Sequence, residues 1–303
     1  MTDVHVEIGG RQLKLSNLDK VLYPEVGFTK GEVIDYYTRI SPALLPHLRR
    51  RALTLKRYPN GVDAQFFYEK NCPKHRPDWV ETLPVWSARN KADVNYCLCD
   101  GLPGLVWVAN LASLELHTSL SQADDYQKPT MVVFDLDPGP PATVVECCQV
   151  ALWLRAVLDD LGLRAFPKTS GSKGLQVYVP LNVGGVTYAD TKPFAHALAR
   201  LLEAQHPAEV LSVMAKDLRT GKVFIDWSQN DDSKTTVCVY SLRARPTPTV
   251  SAPVSWDEVS ACASGGDLSF TAPEVLERFE RDGDLWADVE GLQQALPAPP
   301  ATP

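Results

Sequence analysis

Residues Thr130–Asp137 read TMVVFDLD: four large apolar residues in a row, then two aspartates separated by one leucine. An apolar run of this length without alternation describes a strand covered on both faces, so the chain must build a sheet around this segment. At the carboxyl end of the strand, the period of two brings Asp135 and Asp137 to one face and sends Leu136 to the other. Two adjacent carboxylates repel unless a cation neutralises them, and hard divalent ions such as Mg²⁺ or Mn²⁺ prefer oxygen ligands. The same D-x-D is also compatible with a plain strand-to-turn boundary, where aspartates are frequent. Asp226 ends Val223-Phe224-Ile225 in a similar setting. One aspartate pair plus a carboxylate from elsewhere is a common way to bind two metal ions that clamp an in-line phosphoryl transfer.

Around this strand the pattern mixes helices and strands. Pro138–Pro141 is a loop, Thr143-x-x-Glu146 is a capping box, and the helix it opens is closed by Gly162. Strands are expected at Leu163–Lys168 and Leu175–Pro180, a helix at Asp190–Glu203, and strands near Val223–Trp227 and Thr236–Tyr240. Upstream, a second capping box at Thr29–Glu32 precedes a helical stripe of Val33, Tyr36, Tyr37, Ile40 and Leu44, with Pro42 and Pro46 expected to break it. A strand at Ala52–Tyr58 runs into the turn Pro59-Asn60-Gly61, Leu83–Asp100 is mixed, and Leu105–His117 reads as a buried helix whose start also suits a strand. Pro246, Pro248 and Pro253 mark a looser segment before a last helix at Ala272–Arg281. The fold class is therefore α+β, a mixed α/β sandwich. The expected organisation is one domain over residues 1–296, made of two interleaved subdomains with a boundary near 125–130, and a Pro/Ala-rich tail or linker stub at 297–303.

Composition sets limits on function. The 30 Lys and Arg against 37 Asp and Glu leave a net charge of −7, so nucleic-acid binding must rest on local basic patches. No apolar run approaches the ~18 residues of a membrane span, and the first residues lack the basic and apolar regions of a signal peptide. The expectation is a cytoplasmic protein, associated with the nucleoid and acting as a monomer. Seven cysteines, an odd number, suit a reducing compartment and not a disulfide framework.

Thr169-Ser170-Gly171-Ser172-Lys173-Gly174 lies between two expected strands. Its small residues let backbone N–H groups approach an anion, and Lys173 adds charge; it is not a Walker A loop, and a solvated turn is the plain alternative. Lys216, Arg219, Lys222, Lys234, Arg243 and Arg245 flank Asp226, a setting that suits a triphosphate or a nucleic-acid backbone. Near the N-terminus Lys14, Lys20 and Lys30 cluster around Asn17, and Arg49-Arg50-Arg51 precede Lys56-Arg57 and Phe66-Phe67-Tyr68. Cations interleaved with rings are what end or single-strand recognition uses, although an aromatic triplet is otherwise core material.

The stretches SNLDKVLYP, LKRYPNG, FFYEK, GLVWVANLASLELH, VVFDLDPG, TSGSKGL, GKVFIDWSQN, SKTT and YSLRARP occur in this order between residues 16 and 246. In them the chain resembles the polymerase domain of bacterial ATP-dependent DNA ligase D and the stand-alone bacterial primase-polymerases, within the archaeo-eukaryotic primase superfamily. The resemblance implies a primase-like catalytic core with mixed sheets flanked by helices. It implies that Asp135, Asp137 and Asp226 are the catalytic carboxylates holding two Mn²⁺ or Mg²⁺ ions. It assigns Ser170, Ser172 and Lys173 to the phosphates of an incoming NTP or dNTP, and His117, Gln229, Arg243 and Arg245 to further nucleotide contacts. Asn17, Lys20 and Lys30 match a pocket for a DNA 5′-phosphate, Lys56 lies along the DNA path, and Phe67 and Tyr68 match an aromatic pair packing on template bases. Where the family loop carries a histidine, this chain has Gln176, which keeps a donor but never a charge.

The implied activity is template-directed nucleotidyl transfer that fills short gaps or extends ends in DNA repair. Ribonucleotides would be preferred, 5′-phosphorylated DNA would be the partner, and a Ku-like end-binding protein and a DNA ligase would act alongside. A metal-dependent phosphohydrolase with Asp135 as nucleophile, of the haloacid-dehalogenase type, is a rival reading, disfavoured because Pro138 follows Asp137 where that motif has Thr or Val. A non-catalytic DNA-end-binding module is another, and three carboxylates speak against it. Cys72, His75, Cys97 and Cys99 offer four zinc ligands, although C-x-C is tighter than the usual spacing; Cys147 and Cys148 read as packing residues.

Overall fold

Gly9 and Gly10 both take positive φ, and this tight reversal folds β1 (Val4–Ile8) onto β2 (Arg11–Leu15), a hairpin that sequence patterning did not indicate. The computed structural model describes residues 3–88 and 90–298, so Pro299–Pro303 of the expected tail lie outside the described residues. The chain forms two units, neither continuous in sequence. The first takes in the chain up to Asp124 together with Thr235–Ser251 and Phe270–Asp284; the second takes in Asp125–Lys234, Ala252–Ser269 and the stretch from Leu285.

In the first unit β3 (Val21–Tyr23) pairs with β4 (Phe28–Thr29), and the Thr29 capping box opens α1 (Lys30–Leu48). The helix runs through Pro42 and Pro46, contrary to expectation. Pro42 has no N–H for the Thr38 carbonyl, and the Ser41 hydroxyl donates to that carbonyl instead, at 2.8 Å. Strands β5 (Leu53–Arg57), β6 (Phe67–Glu69), β7 (Thr82–Ser87) and β8 (Ala92–Cys97) follow, so the mixed stretch before Asp100 is mainly a hairpin of β7 on β8. The expected helix over Leu105–His117 is corrected: α2 (Leu102–Asn110) stops early, Ala112 turns the chain at φ 57°, and β9 (Ser113–Thr118) begins. In β9, Leu114 and Leu116 alternate with Glu115 and His117, a two-residue period that fits a strand.

In the second unit β10 (Met131–Pro138) is central, flanked on both sides by antiparallel partners. The Thr143 capping box opens α3 (Val144–Asp160), which ends at Gly162 in the left-handed region. β11 (Phe166–Thr169), β12 (Leu175–Pro180), α4 (Tyr188–Gln205), β13 (Val210–Leu211) and β14 (Val223–Asp226) complete a sheet of order β11-β12-β10-β14-β13. Val132, Val133, Phe134 and Leu136 are fully buried, as an apolar run covered on both faces requires.

The chain then supplies β15 (Thr236–Val237), which joins the first unit's six-stranded sheet beside β9 in the order β15-β9-β5-β8-β7, with β6 also on β5. α5 (Trp256–Ala263) packs on α3 in the second unit; the proline-marked region was read as looser and its Ser255 capping box was missed. α6 (Ala272–Asp282) closes the first unit against α1. Among the described residues no helix is long and apolar enough to cross a membrane.

The zinc alternative, already disfavoured by the tight C-x-C spacing, loses two of its ligands to a disulfide, although the odd cysteine count had argued against a disulfide framework. The Cys72 N–H donates to the Asn95 carbonyl, which brings Cys72 beside β8, and its sulfur is bonded to that of Cys97. Two of the four candidate ligands are thereby consumed, and Cys99 is a buried thiol pushed up to about 12 by burial. Cys147 and Cys148 are buried in α3.

Candidate active site and nucleic-acid interface

In the second unit the antiparallel register of β10 on β14 sets Asp135 directly opposite Asp226, with Asp137 two residues further along β10. Directly opposed residues of such a pair have Cα atoms only ~4.5–5.5 Å apart. Burial, and then the charges of Asp137 and Asp226, push the Asp135 carboxyl up to about 7, against the pull of Gln176 and Lys168. Each carboxylate also has a protein partner. Asp135 accepts from Gln176 Nε2 at 3.0 Å, and Asp226 accepts from the Ser228 N–H at 3.0 Å, from the Ser228 hydroxyl, and from Gln229 Nε2 at 2.7 Å. Asp137 lies 4.0 Å from an Arg219 guanidinium nitrogen. Asn230 locks this turn to the sheet, its side-chain amide exchanging two hydrogen bonds with the Val133 backbone at 2.9 and 2.8 Å.

As the side chains are placed, no group of three or more His, Cys, Asp or Glu converges as a preformed metal cage among the described residues. The donor set nonetheless fits a hard divalent cation. Three carboxylates share one end of a sheet, two of them are cross-strand partners, and one carries a charge that burial and its neighbours disfavour.

The loop after β11 is shaped from within. The Ser170 hydroxyl accepts from the N–H groups of Ser172 and Gly174 at 3.2 and 3.0 Å, so Ser170 organises the loop while Ser172 and Lys173 are exposed. A Cβ at Gly174 would lie 2.1 Å from the Leu136 carbonyl oxygen, so only glycine lets the loop pass the carboxylate strand this closely. Beside it opens a cavity of about 380 Å³ whose lining includes Pro138, Thr143, Ser172, Lys173 and Leu268. Gln176, where the resemblance led to an expected histidine, turns inward: it is buried, its amide oxygen accepts from the fully buried Lys168 at 2.5 Å, and its amide nitrogen serves Asp135.

In the first unit, the Asn17 carbonyl accepts from the Lys20 N–H, and the Lys20 carbonyl accepts from the Lys30 N–H, which gathers all three candidate phosphate ligands. Lys20 donates to Asn60 at 2.8 Å and Lys30 to the Ser16 carbonyl at 2.7 Å; neither Ser16 nor Asn60 was read from sequence as part of this pocket. Burial, and then the charges of Lys20 and Arg57, lower the Lys30 ammonium to about 8.

Phe66, Phe67 and Tyr68 are all exposed. Lys56, expected along the DNA path, is largely covered: its ammonium lies 3.2 Å from Glu115 and 4.4 Å from the Phe66 ring centre. His117 Nε2 stands 2.9 Å from Glu115, and Arg243 Nε stands 3.3 Å from it. Arg245 is exposed on the same loop, its N–H donating to the Arg243 carbonyl.

Three carboxylates at one end of a sheet, beside a glycine-containing loop with an exposed lysine, suit the class of metal-dependent nucleotidyltransferases. The comparisons specify it further. The family model for the LigD primase-polymerase domain matches residues 29–286. The chain is 42% identical over 281 residues to the multifunctional non-homologous end joining protein LigD of Mycolicibacterium smegmatis, covering 92% of this chain and 36% of that protein. It is 32% identical over 272 residues to the bifunctional LigD of Bacillus subtilis, covering 90% and 43%. The solved polymerase domain of Mycobacterium tuberculosis ligase D in complex with DNA superposes with a TM-score of 0.86 at 39% identity, over 93% of this chain and 99% of that one. The chain belongs to the LigD primase-polymerase domain family, whose members are DNA-directed, metal-dependent nucleotidyltransferases. It spans well under half the length of these curated relatives.

Proposed function

We propose that this chain adds nucleotides to a primer 3′ end at short gaps or breaks in DNA, under direction of a template, and that it recognises the 5′-phosphate beyond the gap. The observation that carries the reading is the in-register pairing of Asp135 with Asp226, in the same unit as the Ser172–Lys173 loop. Asp135, Asp137 and Asp226 would hold two divalent ions, Mn²⁺ or Mg²⁺. Bound there, such ions neutralise the triphosphate and favour departure of pyrophosphate.

The chain's own residues do the remaining work. Ser172 and Lys173 would hold the phosphates, with the loop kept rigid by Ser170. Gln229 and Gln176 orient Asp226 and Asp135 through their amides, and His117, Arg243 and Arg245 would contact the nucleotide. Asn17, Lys20 and Lys30 would take the terminal phosphate, which lets an acidic protein read one charge-dense end without a broadly basic surface. Phe67 and Tyr68, 43% and 59% exposed, would offer ring surface for template bases. Lys56 would support those rings. Ribonucleotide preference, a Ku-like partner and a ligase acting on the product belong to the same proposal.

Primer extension on a gapped duplex tests it, with ribo- and deoxyribonucleotides and with or without the 5′-phosphate. The expected result is pyrophosphate release that needs both primer and template and is stimulated by the phosphate. Release of phosphate from a simple phosphoester without template would instead support the hydrolase reading.

A further inference from the structure

We propose that Glu115 is a positioning residue whose single buried carboxylate fixes Lys56, His117 and Arg243 together and dictates which ring nitrogen His117 presents to a nucleotide. The proposal rests on the reading above that His117 and Arg243 face the nucleotide.

The sheet register builds the arrangement. Tyr68 on β6 is opposite Lys56 on β5, and Lys56 is opposite Glu115 on β9, so the three side chains form a row across adjacent strands of one sheet. His117, two residues beyond Glu115, shares its face and lies opposite Thr54. Glu115 is only 2% exposed and is saturated. Its Oε1 accepts from the Ala244 N–H at 3.2 Å and lies 3.2 Å from Lys56 Nζ and 3.5 Å from the Tyr58 hydroxyl. Its Oε2 lies 2.9 Å from His117 Nε2 and 3.3 Å from Arg243 Nε. Four groups, the Ala244 N–H, Lys56, Tyr58 and His117, hydrogen-bond to this carboxylate, which offers about four acceptor sites, and the Arg243 guanidinium adds an ion pair. Through Lys56 the anchor extends to the aromatic surface, because the ammonium sits 4.4 Å from the centre of Phe66 and 5.6 Å from that of Tyr68.

Burial alone would raise the Glu115 carboxyl, but the His117 hydrogen bond and the charges of Arg243 and Lys56 prevail and hold it far below its ordinary range. An ionised carboxylate has no proton to donate, so the short contact requires the hydrogen on His117 Nε2. Nδ1 is then the nitrogen left for a ligand. In the neutral ring it accepts, and it therefore pairs with a hydroxyl or amino group of the nucleotide, not with a phosphate oxygen. Burial lowers the His117 imidazole from its ordinary value, which favours that neutral form.

The test uses the full chain and Glu115→Gln, which keeps the shape of the side chain and removes its charge. Long-range ¹H–¹⁵N NMR of His117 in the unmodified protein should show the hydrogen on Nε2; a hydrogen on Nδ1 overturns the proposal. In Glu115→Gln that tautomer preference should be lost, and binding of a fluorescent, non-hydrolysable nucleoside triphosphate with Mn²⁺ should weaken by about tenfold, the scale of a lost charge-assisted hydrogen bond. A merely structural Glu115 would lower the melting temperature but leave both the tautomer and the nucleotide Kd of the folded variant unchanged, and that result also overturns the proposal. If Glu115→Gln does not fold, Glu115→Asp, which keeps the charge but withdraws it by one methylene, should show the same two changes. The failure of the underlying reading has a different signature: His117→Ala would leave nucleotide binding intact while the unmodified protein still carried its hydrogen on Nε2.

Discussion

Asp135 and Asp226 are direct cross-strand partners at the end of a sheet, where neither gains from the other. Like charges directly opposed on a sheet destabilise it, and Asp135 carries the added cost of burial. Asp226→Asn should therefore stabilise the metal-free protein while abolishing primer extension. Asparagine keeps an acceptor for the Ser228 N–H, so the gain should be about 1 kcal/mol, or roughly 2–4 °C in Tm. Melting in EDTA measures it; an unchanged or lower Tm would show that the pair is not frustrated. Mn²⁺ should raise the Tm of the unmodified protein more than that of the variant, since a ligand stabilises only the form it binds.

The close approach of Gly174 to Leu136 ties the Ser170–Gly174 loop to the carboxylate strand. Gly174→Ala forces either backbone to shift, because a methyl group cannot stand 2.1 Å from a carbonyl oxygen. A cost of about 2–4 kcal/mol is expected, within the range of overpacking and backbone strain. Nucleotide binding should weaken more than DNA binding. Urea unfolding with paired nucleotide and DNA titrations would check both parts.

Much of this framework was legible because it is local. The apolar run to Asp135, the Thr29 and Thr143 capping boxes and the two strands around Thr169–Gly174 are dictated by neighbouring residues, and the structure has them. Glu115 was missed for a physical reason. Read as helix, Leu105–His117 puts Glu115 and His117 about 200° apart around an axis, so they cannot serve one site. Read as the strand it is, they share a face, and the Leu114 and Leu116 alternation was the available signal. Pro42 misled because the local rule does not include the Ser41 hydroxyl that takes over the orphaned Thr38 carbonyl. The Cys72–Cys97 bond depends on a pairing across 25 residues, which spacing does not encode.

Lys30 gives a pH-dependent prediction. Its ammonium is lowered from 10.5 to about 8, so it is charged at pH 7 and loses its proton as pH rises through 8. Discrimination between 5′-phosphorylated and unphosphorylated gapped DNA should be level below pH 7 and fall between pH 7.5 and 9. Lys30→Gln should show weak discrimination with no such fall. Stability moves the other way. Between about 8 and 10.5 the unfolded chain holds more protons at this site than the folded one, so this residue's contribution to the unfolding free energy rises with pH there. A fluorescence-anisotropy series across pH, with melting curves on the same samples, separates the two effects.

Gln176 makes the last prediction, because its amide stands between a fully buried cation and a half-buried carboxylate. Its oxygen can only accept and its nitrogen can only donate, so Lys168 and Asp135 together fix the orientation of the amide. Gln176→Leu matches the side chain in size and removes both hydrogen bonds while leaving two ionisable groups in place. Such groups are costly once a partner is deleted, and a loss of about 2–4 kcal/mol is expected. Gln176→His keeps one donor and one acceptor in the neutral ring and should lose less. If Gln176→Leu melts within a degree of the unmodified protein, the amide is not the link between Lys168 and Asp135. If it is destabilised as expected, Mn²⁺ should recover part of the lost Tm, because a bound cation compensates Asp135 directly.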